Sequence, residues 1–291
     1  MPSTCPSAYA IDERPACINF SGGRSSGYML YHLLEHHDGR LPPDSEIIFC
    51  NTGKERPETL DFVRRCSEEW NVPITWLEYR YYPQASGGRD SPKHHLAIVN
   101  HLTASRDGRP FDELIRSKKM LPNITMRFCS SQLKVNTTER YLRRFRGWDT
   151  FTNYLGIRFD EPRRIKRTLM EACKVDYPLY HAQVRRRQID DFWRQHSFDL
   201  EIESREGNCD LCFLKGQAKL LQLIHEHPEH ADWWIAKENQ VKKIAGRRNV
   251  TSTQALFSKR HSYEQLKRES DHLTLPLPFD DDEAPDCFCG D

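Results

Sequence analysis

The sequence has no apolar run approaching the roughly 18 to 20 residues that cross a bilayer, and with 29% charged residues and a negative mean hydropathy it excludes a membrane span. Its first residues, MPSTCPSAYAIDERPAC, lack the basic and apolar stretches of a secretory signal, so the chain is expected to stay in the cytoplasm. It carries almost no net charge: 43 Lys and Arg against 42 Asp and Glu leave +1, which argues against a protein that meets nucleic acid over its whole surface. No internal repeat is present, which argues against a solenoid. In a reducing compartment the ten cysteines are not expected to form disulfides, and thiols, metal ligands or catalytic groups are left.

The charge that is present is uneven. Arg140, Arg143, Arg144, Arg146, Arg158, Arg163, Arg164, Lys166 and Arg167 crowd one stretch, and Asp280, Asp281, Asp282, Glu283 and Asp286 oppose them near the end. Such a cluster suits a local anionic ligand or a nucleic-acid contact, beside the plainer reading of a solvated helix face. At 291 residues, one large core with a smaller appendage is expected.

Periodicity supplies the architecture. Ala16 to Phe20 is a short apolar run ending in Ser-Gly-Gly, and Tyr28 to Leu34 carries apolar residues at helical spacing. Glu46 to Cys50 repeats the strand, with Asn51-Thr52-Gly53 as the turn and Pro57 to Trp70 as a helix; a third unit opens at Ile74. Strands alternating with helices over short connections predict an α/β fold with a doubly wound, mostly parallel sheet, and a ligand site at the carboxyl ends of its strands. Tyr81 to Pro110 is polar and predicts a long loop or lid. Thr138 to Arg146 predicts a helix, and Phe151 to Gly156 a late strand that delivers Ile157 and Arg158 to the same edge. Residues 1–200 then form the nucleotide-binding domain, and 201–291 a helical, Cys-rich region with a break near Pro228 and an irregular acidic tail.

The segment Ser21-Gly22-Gly23-Arg24-Ser25-Ser26 lies after a strand and before a helix. Glycines let backbone approach a phosphate, and a helix amino terminus points N–H groups at it; three hydroxyls and Arg24 add donors. A plain flexible connection is the alternative.

Further along, Asn51-Thr52-Gly53 with Glu58 to Val63, then Arg127-Phe128-Cys129 with Lys134-Val135, then Gly156-Ile157-Arg158 with Asp160, Glu161 and Arg163 follow the loop in order. Together these four segments resemble the phosphoadenosine phosphosulfate (PAPS) reductase family of PP-loop proteins, above all members carried by phages and mobile elements. The resemblance covers about residues 16 to 165. It implies an adenine nucleotide α-hydrolase-like fold that binds ATP or PAPS at the loop, with Asn51, Thr52, Gly53, Arg127, Lys134, Gly156, Arg158 and Arg163 completing the site, since guanidinium forks suit sulfate and phosphate oxygens. Three departures stand out, the first being Cys129-Ser130 where cluster-containing adenylyl sulfate reductases carry a Cys-Cys pair. ATP-cleaving PP-loop enzymes carry Asp where this chain has Ser25, which bears on any use of Mg²⁺. The Glu-Cys-Gly terminus of true PAPS reductases is replaced by Asp286-Cys287-Phe288-Cys289-Gly290-Asp291.

Cys209-Asp210-Leu211-Cys212, with Gly207 and Gly216 on either side, is a knuckle whose two thiolates can chelate one metal. Cys129 and Cys287 or Cys289 would complete a four-thiolate site for iron–sulfur or zinc, with uncomplexed redox thiols the remaining alternative. The resemblance implies a [4Fe-4S] cluster on Cys129, Cys209, Cys212 and Cys289. Cys5, Cys17, Cys50, Cys66 and Cys173 lack such spacing, and the histidines, His225, His227 and His230 among them, are expected to be scattered. The implied function is an enzyme that couples an adenine nucleotide to sulfur transfer or sulfonucleotide reduction. Arg158, Cys287 and Cys289 are its candidate catalytic groups, and a thioredoxin-like reductant or a cysteine desulfurase its candidate protein partner. A non-catalytic nucleotide-binding regulatory or phage-defence module with a structural metal is the rival.

Overall fold

A computed structural model of the chain describes residues 6–83, 94–165, 173–203, 206–245, 255–258 and 260–273. The acidic tail, Cys5, Cys287 and Cys289 lie outside the described residues, and with them the expectation that a tail thiol reaches the site.

Six strands form one sheet in the order β4-β3-β2-β1-β5-β6, comprising β1 (Ala16–Asn19), β2 (Ser45–Asn51), β3 (Thr75–Tyr81), β4 (His94–Val99), β5 (Phe151–Leu155) and β6 (Cys173–Asp176). All neighbours pair in parallel except β3 with β4. The chain winds outward from β1 through β2 to β3, then crosses to β5 on the other side of β1. The switch in direction therefore falls between β1 and β5, where an open α/β sheet leaves a crevice beyond its carboxyl ends.

The parallel strands are covered on both faces, as their near-continuous apolar runs require. Ala16, Ile18, Ile47, Phe49, Trp76 and Tyr154 face one way, into a core completed by α1 (Arg24–His36), α2 (Pro57–Glu69) and α6 (Arg186–Gln195). Cys17, Ile48, Cys50, Leu77 and Phe151 face the other way, against Tyr141, Leu142 and Trp148. Those last residues follow or lie in a helical stretch from Ser130 to Arg146, in which α4 (Asn136–Tyr141) is flanked by wider π-helical turns. Local chemistry sets the helices. In α1, Tyr28, Met29, Leu30, Leu33 and Leu34 put one apolar stripe inward, and in α2 Pro57 opens a helix that buries Thr59, Leu60, Phe62, Val63 and Cys66.

The polar stretch after Tyr81 is not simply a loop. His94 to Val99 pairs antiparallel with β3, Trp76 opposite Val99 and Tyr81 opposite His94. As an edge strand it is only partly buried, with Ile98 53% exposed, so the alternation that marks a strand in sequence is weak there. Beyond β4, α3 (Arg109–Lys118) seats Phe111, Leu114 and Ile115 in a second core with Leu211, Phe213, and residues of α7 (Gln217–Glu226), α8 (His230–Ala245) and α9 (Tyr263–Ser270). The expected break at Pro228 separates α7 from α8. The short α5 (Pro178–His181) precedes α6. Among the described residues no helix is long and apolar enough to cross a membrane.

Glu238 sits inside this second core, 1% exposed, accepting backbone hydrogen bonds from Tyr263 at 3.1 Å and Phe257 at 3.4 Å. Burial pushes its carboxyl up to about 7. The folded state therefore holds this proton more tightly than the unfolded chain, and the group's contribution to stability is full below the unfolded value, falls as pH rises toward 7, and is level above it. Glu238→Gln, which keeps an acceptor oxygen and loses the charge, is expected to raise the melting temperature at pH 8 and to do little at pH 5, with a gain of at most about 3 kcal/mol. Equal effects at both pH values would contradict this.

Candidate functional site

The crevice between β1 and β5 is built by backbone approaching backbone. β1 leads into Ser21-Gly22-Gly23, and Gly22 takes φ +79°, a left-handed conformation that favours glycine. A Cβ on Gly22 would come within 2.7 Å of Thr59 Cγ2, and one on Gly156, after β5, within 3.2 Å of both the Ser25 carbonyl oxygen and Ser26 Cα. Two glycines thus let the loop settle onto α2 on one side and onto the end of β5 on the other.

Hydroxyls hold the loop's shape. Ser26 Oγ donates to the Gly23 carbonyl at 2.8 Å and accepts from the Ser21 N–H at 3.2 Å, with Ser21 Oγ 3.0 Å away. Gly23 is the extended residue before α1, whose first turn leaves N–H groups without intrahelical partners. Arg158 is buried and donates from Nη1 to Ser25 Oγ at 3.2 Å, while Asp160, 3.0 Å from Nε, and Glu161, 3.5 Å from Nη2, neutralise it. Arg24 turns away from the loop. Its Nε and Nη2 form a bidentate pair with Asp199, 2.8 Å each, and Nη2 also donates to the Leu200 carbonyl, so its charge clamps the segment before residue 203.

Beside this lies the second turn motif. Asn51 Nδ2 donates to Glu78 Oε1 at 2.6 Å and to the Ser105 carbonyl at 2.8 Å, and Asn51 Oδ1 accepts from Gly53 N–H at 3.0 Å. Glu55 Oε2 accepts from both the N–H and the hydroxyl of Thr52 at 2.8 Å. Gly53 is left-handed at φ +78°, and a Cβ there would press within 2.9 Å of Pro110.

The cysteine knuckle is brought to the same edge. Glu55 and Cys209 form an antiparallel bridge, Arg56 N–H donates to the Asn208 carbonyl at 2.9 Å, and Asp210 N–H to the Lys54 carbonyl at 3.0 Å. Two ion pairs lock it, Lys54 to Asp210 at 2.7 Å and Arg56 to Glu206 at 2.7 Å, every partner close to a tenth exposed. Lys215 Nζ donates to the Cys209 carbonyl at 2.5 Å and the Asp210 carbonyl at 3.1 Å. Asn208 Nδ2 then reaches the Ser21 carbonyl at 2.9 Å, a direct tie between the knuckle and the glycine loop.

Cys209 and Cys212 are partly exposed, and Cys209 Sγ lies 4.0 Å from Thr52 Oγ1. Cys129, also partly exposed, packs against the second core, which holds Leu211 and Phe213 on either side of Cys212. These three cysteines do not form a set of donors within 4.8 Å of one another, the distance within which a single ion would gather them. Cys17, Cys50 and Cys66 are buried, and burial pushes the Cys66 thiol well up. Lys134 sits on the π-helical turn beside the end of β2, where its carbonyl accepts from Cys50 Sγ at 3.7 Å. Arg127 Nε donates to the Ile124 carbonyl at 3.2 Å, and Arg163 is exposed on the turn Pro162–Arg164.

A shallow, open cleft joins these parts, lined by Arg24, Ser25, Arg158, Arg186, Gly207 and Asn208, with Ile189, Leu200 and Ile202 as its apolar wall. Arg186, Ile189, Ile202 and Asn208 were not singled out by sequence. Arg186 and Ile189 come from α6, Ile202 from an irregular segment, and Asn208 from the residue before the knuckle's first cysteine.

No protein-family model matches the chain. It is 30% identical over 203 residues, 70% of its own length and 67% of the other's, to a protein of Escherichia phage lambda described as "Uncharacterized nin region protein ORF290". Among solved structures, it is similar to phosphoadenylyl-sulfate (PAPS) reductase from Candida auris in a phosphate complex, with a TM-score of 0.38 and 13% identity over 65% of this chain and 77% of that one.

Gly22→Ala is expected to destabilise the protein by about 2 to 5 kcal/mol in urea unfolding, from left-handed strain together with the clash on Thr59. Gly39→Ala is the control, because Gly39 has φ +81° and nothing within 4 Å of an added Cβ. It should cost only the strain, about 1 to 2 kcal/mol. Equal losses would mean that loop and α2 yield freely.

Proposed function

Starting from a chain that belongs to the family of the nin region protein ORF290 of phage lambda, we propose that it binds an adenine nucleotide, ATP or PAPS, in the cleft at the ends of β1 and β5 and couples that binding to sulfur chemistry at its cysteines. One observation carries the proposal: Asn208 joins the Cys209-x-x-Cys212 turn to the Ser21 carbonyl of the glycine loop at 2.9 Å, which supports a thiol centre beside the loop proposed for the nucleotide.

In this reading the N–H groups of the loop and of the first turn of α1, with the hydroxyls of Ser21, Ser25 and Ser26, take the phosphate oxygens. Arg158 presents Nη1 at Ser25 and offers that donor to a phosphate or sulfate oxygen. Arg24 acts through Asp199, fixing the wall of the cleft rather than meeting the anion. Ile189, Leu200 and Ile202 give the adenine ring an apolar surface. Asn51, Thr52 and Gly53 form the neighbouring turn and Gly156 lets the loop pack on β5, while Arg127, Lys134 and Arg163, which do not line the cleft, remain candidate anion contacts. Residues 1–200 supply the glycine loop, and 201–291 three of the four proposed cluster ligands, Cys209, Cys212 and Cys289.

Cys129, Cys209 and Cys212, with Cys289, are the residues that would hold a [4Fe-4S] cluster, with zinc the alternative. The three described donors fit in kind, as soft and partly exposed thiols, with Cys129 packed against the second core. Such a cluster supplies electrons, or an iron that binds sulfur. Cys287 is the candidate nucleophile, a thioredoxin-like reductant or a cysteine desulfurase the candidate partner, and the exposed Arg143, Arg144 and Arg146 the candidate contact for a nucleic-acid acceptor. A second reading, a nucleotide-binding regulatory or phage-defence module without turnover, is supported by Ser25. This residue offers Arg158 a hydroxyl where Mg²⁺ chemistry would use a carboxylate.

Saturating ATP, AMP or PAPS is expected to raise the melting temperature, by the equivalent of about 2.7 kcal/mol at a hundredfold excess over Kd, and Gly23→Val to abolish the shift. An unmoved melting temperature in the parent protein would overturn nucleotide binding, and release of AMP, pyrophosphate or sulfite separates the enzyme from the regulatory module. Anaerobically prepared protein is expected to carry about four irons and four sulfides. Cys129→Ser, Cys209→Ser and Cys212→Ser should each bleach its visible absorption and lower its stability, because ligation energy is also folding energy, whereas Cys66→Ser should not bleach it. Stoichiometric zinc without labile sulfide would remove the cluster.

A further inference from the structure

Three donors that sequence left scattered converge at the junction of α7 and α8. His227, Glu229 and His230 each bring one ligand atom into a group whose members all lie within 4.8 Å of one another. His227 Nδ1 is 3.6 Å and His230 Nε2 3.8 Å from Glu229 Oε1. These separations are longer than hydrogen bonds. They are close to what one ion imposes, since bonds of about 2.0 to 2.1 Å at tetrahedral angles set donors about 3.3 to 3.5 Å apart.

The backbone fixes the arrangement. His227 N–H closes the end of α7 on the Leu223 carbonyl at 2.9 Å, Pro228 restricts the turn, and the N–H groups of His230 and Asp232 bond back to the carbonyls of His227 at 3.1 Å and Glu229 at 3.2 Å. The two imidazoles stack, ring centres 5.0 Å apart and planes 24° from parallel. One helix ends and another begins here, so the partial negative charge at the end of α7 opposes the partial positive charge at the start of α8, and neither repels a cation outright. All three side chains reach solvent, at 43%, 65% and 31% exposure, which leaves an entry path.

We propose that His227, Glu229 and His230 form a binding site for one divalent transition ion of the zinc type, with a remaining coordination position open to water. Two imidazoles and one carboxylate select zinc, cobalt, nickel or copper over magnesium and calcium, which prefer all-oxygen shells. Three protein ligands with an open position are the arrangement of ions that polarise a bound water, as distinct from closed four-ligand structural sites. The site uses none of the cysteines and stands apart from the proposed thiolate centre.

Cobalt reads the two centres separately, because thiolate ligation gives strong charge-transfer bands that nitrogen and oxygen ligands do not. Titrating Co²⁺ into the chelator-treated full chain is expected to fill a site showing only weak ligand-field bands, and Cys209→Ser/Cys212→Ser should leave it in place. His227→Ala or His230→Ala should weaken it about tenfold or more, with Glu229→Gln acting in the same direction and the melting temperature of each ion-free variant matching the parent. Independently, Zn²⁺ should shift the imidazole NMR signals of His227 and His230 in the unmutated protein. Cobalt affinity unchanged in both histidine variants, a spectrum composed of thiolate bands alone, or imidazole signals that ignore Zn²⁺ would each overturn the site.

Discussion

Everything at the candidate site depends on two main-chain segments touching where most residues would hold them apart. Gly156 carries no Cβ in the space filled by the Ser25 carbonyl and Ser26 Cα, and Gly22 carries none against Thr59, Phe49 and Val63. Remove that closeness and β5 no longer delivers Arg158 to Ser25, nor does the loop lie where Asn208 can reach Ser21. Steric exclusion, more than attraction, sets the site's geometry. The hydrogen bonds act on segments that already touch.

The charges around this contact are arranged for position. Arg158 lies between Asp160 and Glu161, Arg24 is forked onto Asp199, and Lys54 with Asp210 and Arg56 with Glu206 join the β2 turn to the cysteine knuckle. The largely buried pairs among these, Lys54–Asp210 and Arg56–Glu206, add little net stability, since taking both charges out of water offsets most of their attraction, but breaking one leaves an uncompensated charge and is costly. They therefore hold segments from distant parts of the sequence in one register. The knuckle reaches the sheet edge through such pairs and through an isolated bridge at Glu55 and Cys209, not through a regular strand.

Much of the fold was legible. Strand, glycine turn and helix recur in the first seventy residues, and each signal is local: apolar spacing sets the period, and glycine supplies a backbone conformation other residues resist. The edge strand β4 was missed because half of it is open to solvent and its alternation is faint. The cleft wall from Leu200 to Ile202 was missed because irregular segments have no period. The helical break at Pro228 was legible, but the convergence of His227, Glu229 and His230 around it was not, since a spacing of two and three residues brings donors together only when the turn has one particular shape.

The sequence by itself determined the alternation of strands and helices, the two glycine turns at strand ends, and the presence of a Cys-x-x-Cys knuckle, because periodicity, left-handed glycines and short spacings act over a few residues. Only the tertiary structure decided where the functional groups point. It turned Arg24 away from the loop onto a carboxylate 175 residues later, and it tied Asn208 to the Ser21 carbonyl across 187 residues. Contacts between positions so distant are set by how the packed core closes, and no local pattern in the chain encodes them.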